Sequence, residues 1–181
     1  MLPKVAIICA NYNYGNYIIP AIESIIGQTY KGELNLYVVD DGSSDDSWEK
    51  ISNYHKHQCQ PCEWFHIKRI ENSGASVARN TAIETCWDWA DIIGILDADD
   101  AYYPEKVEKL VNKLIEYPEV GVAYADYCIK KPTHSKHEFK SSYDRQTLLQ
   151  RCIVHSNSLI KKGYLEQVRL PNGEFFDSRL H

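Results

Sequence analysis

The chain has 181 residues, 25 of them acidic and 20 basic, giving a formal net charge of −5 with the two signs interspersed. That length suffices for one domain burying about 70% of its unfolded surface. The charge argues against a general nucleic-acid binder, which needs a basic face, and it means that a phosphorylated ligand must be held by a metal or by local cations.

Residues 1–4 lead at once into the apolar run Val5 to Ala10, which is too short to cross a bilayer. No secretory leader and no transmembrane segment is read, so the expected location is the cytoplasm, free or peripheral to a membrane. The six cysteines are scattered and read as free thiols of a reducing compartment. His55, His57, Cys59 and Cys62 cluster locally and could bind zinc. No second Cys/His pair follows at finger spacing, and the competing reading is an incidental surface loop.

Apolar and polar segments then alternate. Val5 to Ala10 reads as a strand, and Tyr17 to Ile26 as a helix with Ile18, Ile22, Ile25 and Ile26 apolar. Leu34 to Val39 is a second strand. Asp46 to His55 reads as a helix that Ser44 or Asp45 can cap. Trp64 to Ile70 is a third strand. Ser76 to Cys86 is a helix with Val77, Ala78, Ala82 and Ile83 on one side. Ile92 to Leu96 is a fourth strand, short, β-branched and buried. Pro104 to Tyr117 is the clearest helix, with a stripe of Val107, Leu110, Val111, Leu114 and Ile115. Val120 to Ala125 is a fifth strand.

Successive strand–helix units argue for a parallel sheet covered on both faces. Beyond Asp126 the pattern weakens. Lys130, Lys131, His134, Lys136, His137 and Lys140 make a basic loop, either solvated or approaching an anionic ligand. A short helix follows over Arg145 to Arg151 and a strand over His155 to Ile160. Residues 1–126 read as the regular part and 127–181 as a less regular part, within a single domain. Phe175-Phe176 near the end has no following element to bury it, which suggests a chain that stops early.

Three strand ends collect polar groups on one edge of such a sheet, where ligands bind. The first is Ala10-Asn11-Tyr12-Asn13-Tyr14, the second Asp40-Asp41-Gly42-Ser43-Ser44, and the fourth Asp97-Ala98-Asp99-Asp100. Extended, Asp97 and Asp99 point the same way with Ala98 opposite, and two such carboxylates suit Mg²⁺ or Mn²⁺. The alternative is a solvated turn ahead of the helix at Pro104. Asp40 and Asp41 point to opposite sides, so at most one meets a given ligand. Asp41-Gly42-Ser43 also reads as a tight turn. Tyr12 or Tyr14 could stack on a planar base. Asn72-Ser73-Gly74 follows the third strand, with Gly74 free to take a positive φ. Arg79 then offers either a cation for a diphosphate or a surface ion pair.

These pieces together resemble the family 2 glycosyltransferases. The carrying motifs are Cys9-Ala10-Asn11-Tyr12-Asn13, where the family usually has Pro-Thr-Tyr-Asn; Val38-Val39-Asp40-Asp41-Gly42-Ser43-Ser44-Asp45; Asn72-Ser73-Gly74-Ala75-Ser76-Val77-Ala78-Arg79-Asn80; and the Asp-x-Asp at Leu96-Asp97-Ala98-Asp99-Asp100. The resemblance spans residues 4 to about 126 strongly and the remainder weakly, and it implies that 1–126 is a nucleotide-sugar-binding half and 127–181 the incomplete start of an acceptor-side half. It implies a GT-A (Rossmann-like) fold: a three-layer α/β/α sandwich with a mostly parallel central sheet. It also implies an inverting glycosyltransferase of polysaccharide biosynthesis, moving a sugar from a nucleoside-diphosphate donor, UDP-sugar foremost, to a glycan or other hydroxyl acceptor with Mn²⁺ or Mg²⁺.

By the same resemblance Ala10, Tyr12, Asp41, Arg79, Asp97 and Ala98 bind the nucleotide. Asp99 is the principal metal ligand, with Asp97 near the metal or ribose. Ala10, in place of Thr, removes one hydroxyl contact to the base. The family's catalytic base follows a Phe-Asp stretch. Here Phe176-Asp177 is followed only by residues to His181, so the base is expected beyond His181. Asp177 matches a structural position, and this chain is expected to bind donor and transfer poorly. Other classes remain: a haloacid-dehalogenase-like phosphatase with Asp97 as nucleophile, a phosphoryl-receiver module, or a sugar-nucleotide-binding module without catalysis.

Overall fold

A computed structural model describes residues 1–58, 63–130, 133–140, 142–150, 154 and 156–179. The first four strands are β1 (Val5–Asn11), β2 (Leu34–Asp40), β3 (Phe65–Arg69) and β4 (Ile92–Ile95), with helices α1 (Ile18–Ile26), α2 (Ser47–Gln58) and α3 (Ala75–Cys86) between them and α4 (Lys106–Glu116) after β4. All four strands run parallel, with β1 between β2 and β4 and β3 outside β2.

β1 explains the layering. It is buried on both faces, as a central parallel strand must be. Its side chains alternate with period two. Val5, Ile7 and Cys9 pack toward α1, α2 and α4, meeting Ile18, Ile22, Ile51, Val107 and Leu114. Ala6 and Ile8 pack toward α3, meeting Ala78, Ala82 and Ile83. Burying an isoleucine fully is worth about 2 kcal/mol, so this strand is the hub of both cores. The helical stripes are narrower than the sequence suggests: Ile26 and Ile115, expected on the buried faces of α1 and α4, face outward. The α2 cap is Asp45, whose carboxylate accepts from the Ser47 main-chain N–H at 3.0 Å.

The second part departs from the expected plan. The fifth strand is only β5 (Val122–Ala123), and it is not β4's neighbour. Between them lies β8 (Leu159–Lys161), antiparallel to both. The sheet is therefore mostly parallel, in the order β3-β2-β1-β4-β8-β5. Gly94 makes room for this insertion: a Cβ there would sit 2.5 Å from Leu159 Cδ2 and 2.6 Å from Ile7 Cδ1. The basic stretch expected as a loop is instead a hairpin, β6 (Tyr127–Lys130) with β7 (Ser135–Glu138). Lys131 of that stretch lies outside the described residues. α5 (Arg145–Gln150) and α6 (Lys162–Gln167) complete the elements. Of the candidate zinc cluster, Cys59 and Cys62 lie outside the described residues, while His55 hydrogen-bonds the Phe65 carbonyl at 3.1 Å. The described cysteines Cys9, Cys86 and Cys128 are free thiols. No helix among the described residues is long and apolar enough to cross a membrane.

Phe175 and Phe176 do not lack cover, contrary to expectation. The chain turns back onto α3, and Phe175 packs against Trp87 with ring centroids 4.7 Å apart. Asn80 clasps the turn: its Nδ2 donates to the Phe176 carbonyl at 2.8 Å, and its Oδ1 accepts from the main-chain N–H groups of Phe175 and Phe176 at 3.1 and 2.9 Å. Both Phe rings can thus rest on an apolar face without leaving main-chain groups unmet. Asn80→Ala removes all three bonds, and urea denaturation is expected to show a loss of about 1–3 kcal/mol; an unchanged midpoint would contradict the clasp.

Candidate active site

The strand order places the sheet's switch point between β1 and β4, where the chain has built outward first one way and then the other. Ligands of open α/β sheets sit in the crevice beyond the strand ends at such a point. A cleft of about 740 Å³ lies there, lined by the β1 end (Ala10, Tyr12, Tyr14), by Asp41 after β2, by Asn72 to Ala75 ahead of α3, by Arg79, and by Asp97, Ala98 and Asp99 after β4. Asp41, Arg79, Asp97 and Asp99, from three separate parts of the sequence, face one space.

Adjacent acids at the β2 end have opposite fates. Asp40 is buried beneath the cleft, where it accepts from Asn11 Nδ2 at 2.8 Å and Ser43 Oγ at 2.5 Å, with Arg69 Nε at 3.3 Å as its counterion. It is framework. Asp41 turns to the cleft and accepts from the main-chain N–H groups of Ser73 at 2.8 Å and Gly74 at 2.9 Å. The Asp41-Gly42 turn comes close to this loop: Gly42 has φ +69° and a Cβ there would lie 2.8 Å from the Asn72 nitrogen, which only glycine tolerates. Gly74, at φ +92°, lets the chain enter α3 with Asp41 across its mouth.

Asp97 ties three segments together. One oxygen pairs with Arg79 Nη2 at 3.0 Å, the other accepts from Ser156 Oγ at 2.6 Å, and its main-chain N–H donates to Asn157 Oδ1 at 3.1 Å. Asn157 also donates to Asp100. Arg79 is therefore neither a plain surface ion pair nor a free cation; both partners are about three-quarters buried. Residues 97–100 form a turn, closed by Asp100 N–H to the Asp97 carbonyl at 3.0 Å, rather than the extended segment expected. Even so, Asp97 and Asp99 line the same cleft, while Ala98 is buried against the core as well as lining it. Sequence reading missed Asn157 and Ser156, since an isolated Asn or Ser after an irregular stretch carries no pattern. It also missed Lys106, whose position inside the cluster depends on how α4 begins.

Asp99 is exposed and makes no hydrogen bond or ion pair with any described residue. Among the described residues no three His, Cys, Asp or Glu side chains converge as a metal cage. The donor set therefore does not suit a closed structural metal. It fits a hard divalent ion that takes one or two carboxylates from the protein and its other oxygens from a diphosphate and water.

Asp177 does not line the cleft. It forms a fork with Arg179, Oδ1 to Nε at 2.8 Å and Oδ2 to Nη2 at 2.7 Å, which holds its carboxyl at about 2, well below the usual range.

Cys9 lies under the cleft, fully buried. Burial first, and Asp97 second, push its thiol up to about 12, against a smaller opposing pull from Arg79. Burial likewise pushes Cys86 to about 12. Both are neutral thiols at ordinary pH and poor nucleophiles. Iodoacetamide at pH 8 is expected to spare Cys9 and Cys86 in the native protein and to label both once it is unfolded, as read by peptide mass mapping; native-state labelling of Cys9 would mean that the cleft floor opens.

A mostly parallel α/β/α sandwich with an acid-rimmed cleft at its switch point is the architecture of sugar-nucleotide-dependent transferases, and comparison with known proteins gives the family. Residues 6–169 match the model of glycosyl transferase family 2, and the chain belongs to that family. It is 34% identical over 127 residues to the UDP-Glc:alpha-D-GlcNAc-diphosphoundecaprenol beta-1,3-glucosyltransferase WfaP of Escherichia coli, a match covering 70% of this chain and 47% of that one. It is 28% identical over 147 residues to the minor teichoic acid biosynthesis protein GgaA of Bacillus subtilis, covering 78% and 32%. Among solved structures, S. aureus TarS 1-349 in complex with UDP superposes with a TM-score of 0.68 at 18% identity, covering 91% of this chain and 48% of that one. The mannosyltransferase PcManGT of Pyrobaculum calidifontis, in complex with GDP-Man and Mn2+, superposes with a TM-score of 0.68 at 22% identity, covering 93% and 47%. These likenesses show the GT-A fold. The chain spans about a third to a half of the length of these proteins.

Proposed function

We propose that this chain binds a nucleoside-diphosphate sugar, a UDP-sugar foremost, together with Mn²⁺ or Mg²⁺, for inverting transfer to a hydroxyl acceptor in polysaccharide biosynthesis. The observation that carries this reading is the single cleft into which Asp41, Arg79, Asp97 and Asp99 all open. The names of similar proteins support the donor class: UDP-Glc for one relative, UDP for one structural neighbour, GDP-Man and Mn2+ for another.

Each group has a place in this reading. Tyr12 and Tyr14, both partly exposed at the cleft mouth, offer flat surfaces to the base, and Ala10 leaves a small wall beside it. Asp41 is already oriented by two main-chain donors, and its remaining lone pairs can accept from a base N–H. Arg79, anchored on Asp97, holds positive charge where the diphosphate passes. Asp99, with no competing partner, and Asp97 behind it would hold the metal. When bound, such an ion neutralises charge building on the departing nucleoside diphosphate. The two carboxylates fix where that charge is met, beside the buried Ala98.

Calorimetric titration with UDP, GDP and dTDP, each with and without Mn²⁺, tests this. Binding is expected to require the ion, to favour UDP, and to weaken at least tenfold in Asp99→Ala. Metal-independent binding, or an Asp99→Ala protein that binds like the parent, would overturn it.

A further inference from the structure

The acid rim has a charge problem that Arg79 alone does not solve. Asp97, Asp99 and Asp100 lie within four residues, Arg79 answers Asp97, and among the described residues Asp100 receives only the neutral amide of Asn157. Like charges so close are costly unless a cation lies near. The first residue of α4 supplies one. Lys106 is half-buried, and its Nζ sits 3.7 Å from the centre of the Tyr102 ring. That ring is itself buried, its hydroxyl donating to the Ile95 carbonyl at 2.6 Å, so the platform under the ammonium is fixed to the end of β4. Lys106, Asp99 and Asp100 line a common second cavity of about 400 Å³, joined to the nucleotide cleft through Asp99. Burial pulls the ammonium down to about 8, while Asp100 and then Asp97 pull it back. The ammonium thus faces Asp99 and Asp100 across a shared cavity rather than in an ion pair.

We propose that Lys106 is the resident countercharge of the acid rim: it offsets the rim's negative charge across the cavity it shares with Asp99 and Asp100, weakens the rim's hold on a divalent ion by itself, and makes firm capture of that ion wait for the diphosphate. Three carboxylates against two cations leave a net charge near −1, too little to hold a hydrated dication well. A diphosphate arriving with the metal adds the missing negative charge and oxygen ligands. Metal and donor would then enter together. Without Lys106 the rim would carry about −2 and would take the ion alone. Lys106 acts here through the carboxylates and is a positioning residue. The inference rests on the reading of Asp97 and Asp99 as the metal's holders.

The test is Mn²⁺ binding to the full chain, measured by the electron paramagnetic resonance signal of free Mn²⁺, with and without UDP. Mn²⁺ alone is expected to bind Lys106→Met about tenfold more tightly than the parent, by removal of one nearby positive charge, with a smaller gain when UDP is present. Lys106→Arg should restore parental binding. Lys109→Met, which removes an exposed lysine paired with Glu105 at 2.5 Å, should not change it. The melting temperature of metal-free Lys106→Met should fall and recover on adding Mn²⁺, which loss of packing alone would not produce. If Lys106→Met does not fold, Lys106→Gln against Lys106→Arg makes the same comparison. Equal Mn²⁺ affinity in parent and Lys106→Met, or an equal gain in Lys109→Met, would overturn the inference and leave the metal site standing. A parent that binds no Mn²⁺ even with UDP would overturn both.

Discussion

The site depends on Asp97 being held from three directions. Its carboxylate takes Arg79 from α3 and Ser156 from the approach to β8, and its main chain takes Asn157. The two segments, α3 and the Ser156-Asn157 approach to β8, lie far apart in sequence. Fixing them on one aspartate sets the distance between the α3 wall of the cleft and the turn that carries Asp99. The pair is only partly exposed, so each partner has lost some of its water. In that situation removing one charge costs more than the pair's net worth, because the other is left behind partly desolvated. A side chain held this way has little freedom to swing, whereas Asp99, two residues on, is exposed and unengaged among the described residues.

The same economy appears at the β2 end. Two consecutive aspartates follow one strand, and the alternation of side chains sends one inward and one to the cleft. The inward one, Asp40, is tolerable because Asn11, Ser43 and Arg69 satisfy it. That network also positions the loop beside Asn13, whose amide oxygen accepts from the Ser44 and Asp45 main-chain N–H groups at 2.8 and 3.2 Å. Buried polar groups under the rim thus make the rim rigid.

The parallel part of the fold is legible in the sequence because periodicity is strong where burial is two-sided: Val5 to Ala10 and Leu34 to Val39 are continuous apolar runs, and α4 shows a clear stripe. Asp41, Arg79, Asp97 and Asp99 could be gathered in advance because strand ends of a parallel sheet share an edge. A strand over His155 to Ile160 was legible and overlaps β8, but its antiparallel place between β4 and β5 was not, since Gly94 announces the close approach only once Leu159 is known to sit against it. The β6–β7 hairpin was hidden by its own charges, because Lys136 and Glu138 pair along one strand and give no apolar alternation. Phe175 and Phe176 appeared unburied because their cover, Asn80 and Trp87, lies far back on and beside α3.

The place of β8 has an effect on how the chain comes together. Until residues 159–161 are synthesised, one side of β4 has no partner, and β5 has no strand to pair with at all. For roughly sixty residues of elongation the nascent sheet shows a bare, β-branched border of the kind that recruits foreign strands. A polypeptide released before that point would keep its β1, β2 and β4 end motifs but would be a poor soluble fragment. The late strand is the seal that lets the early ones exist in water.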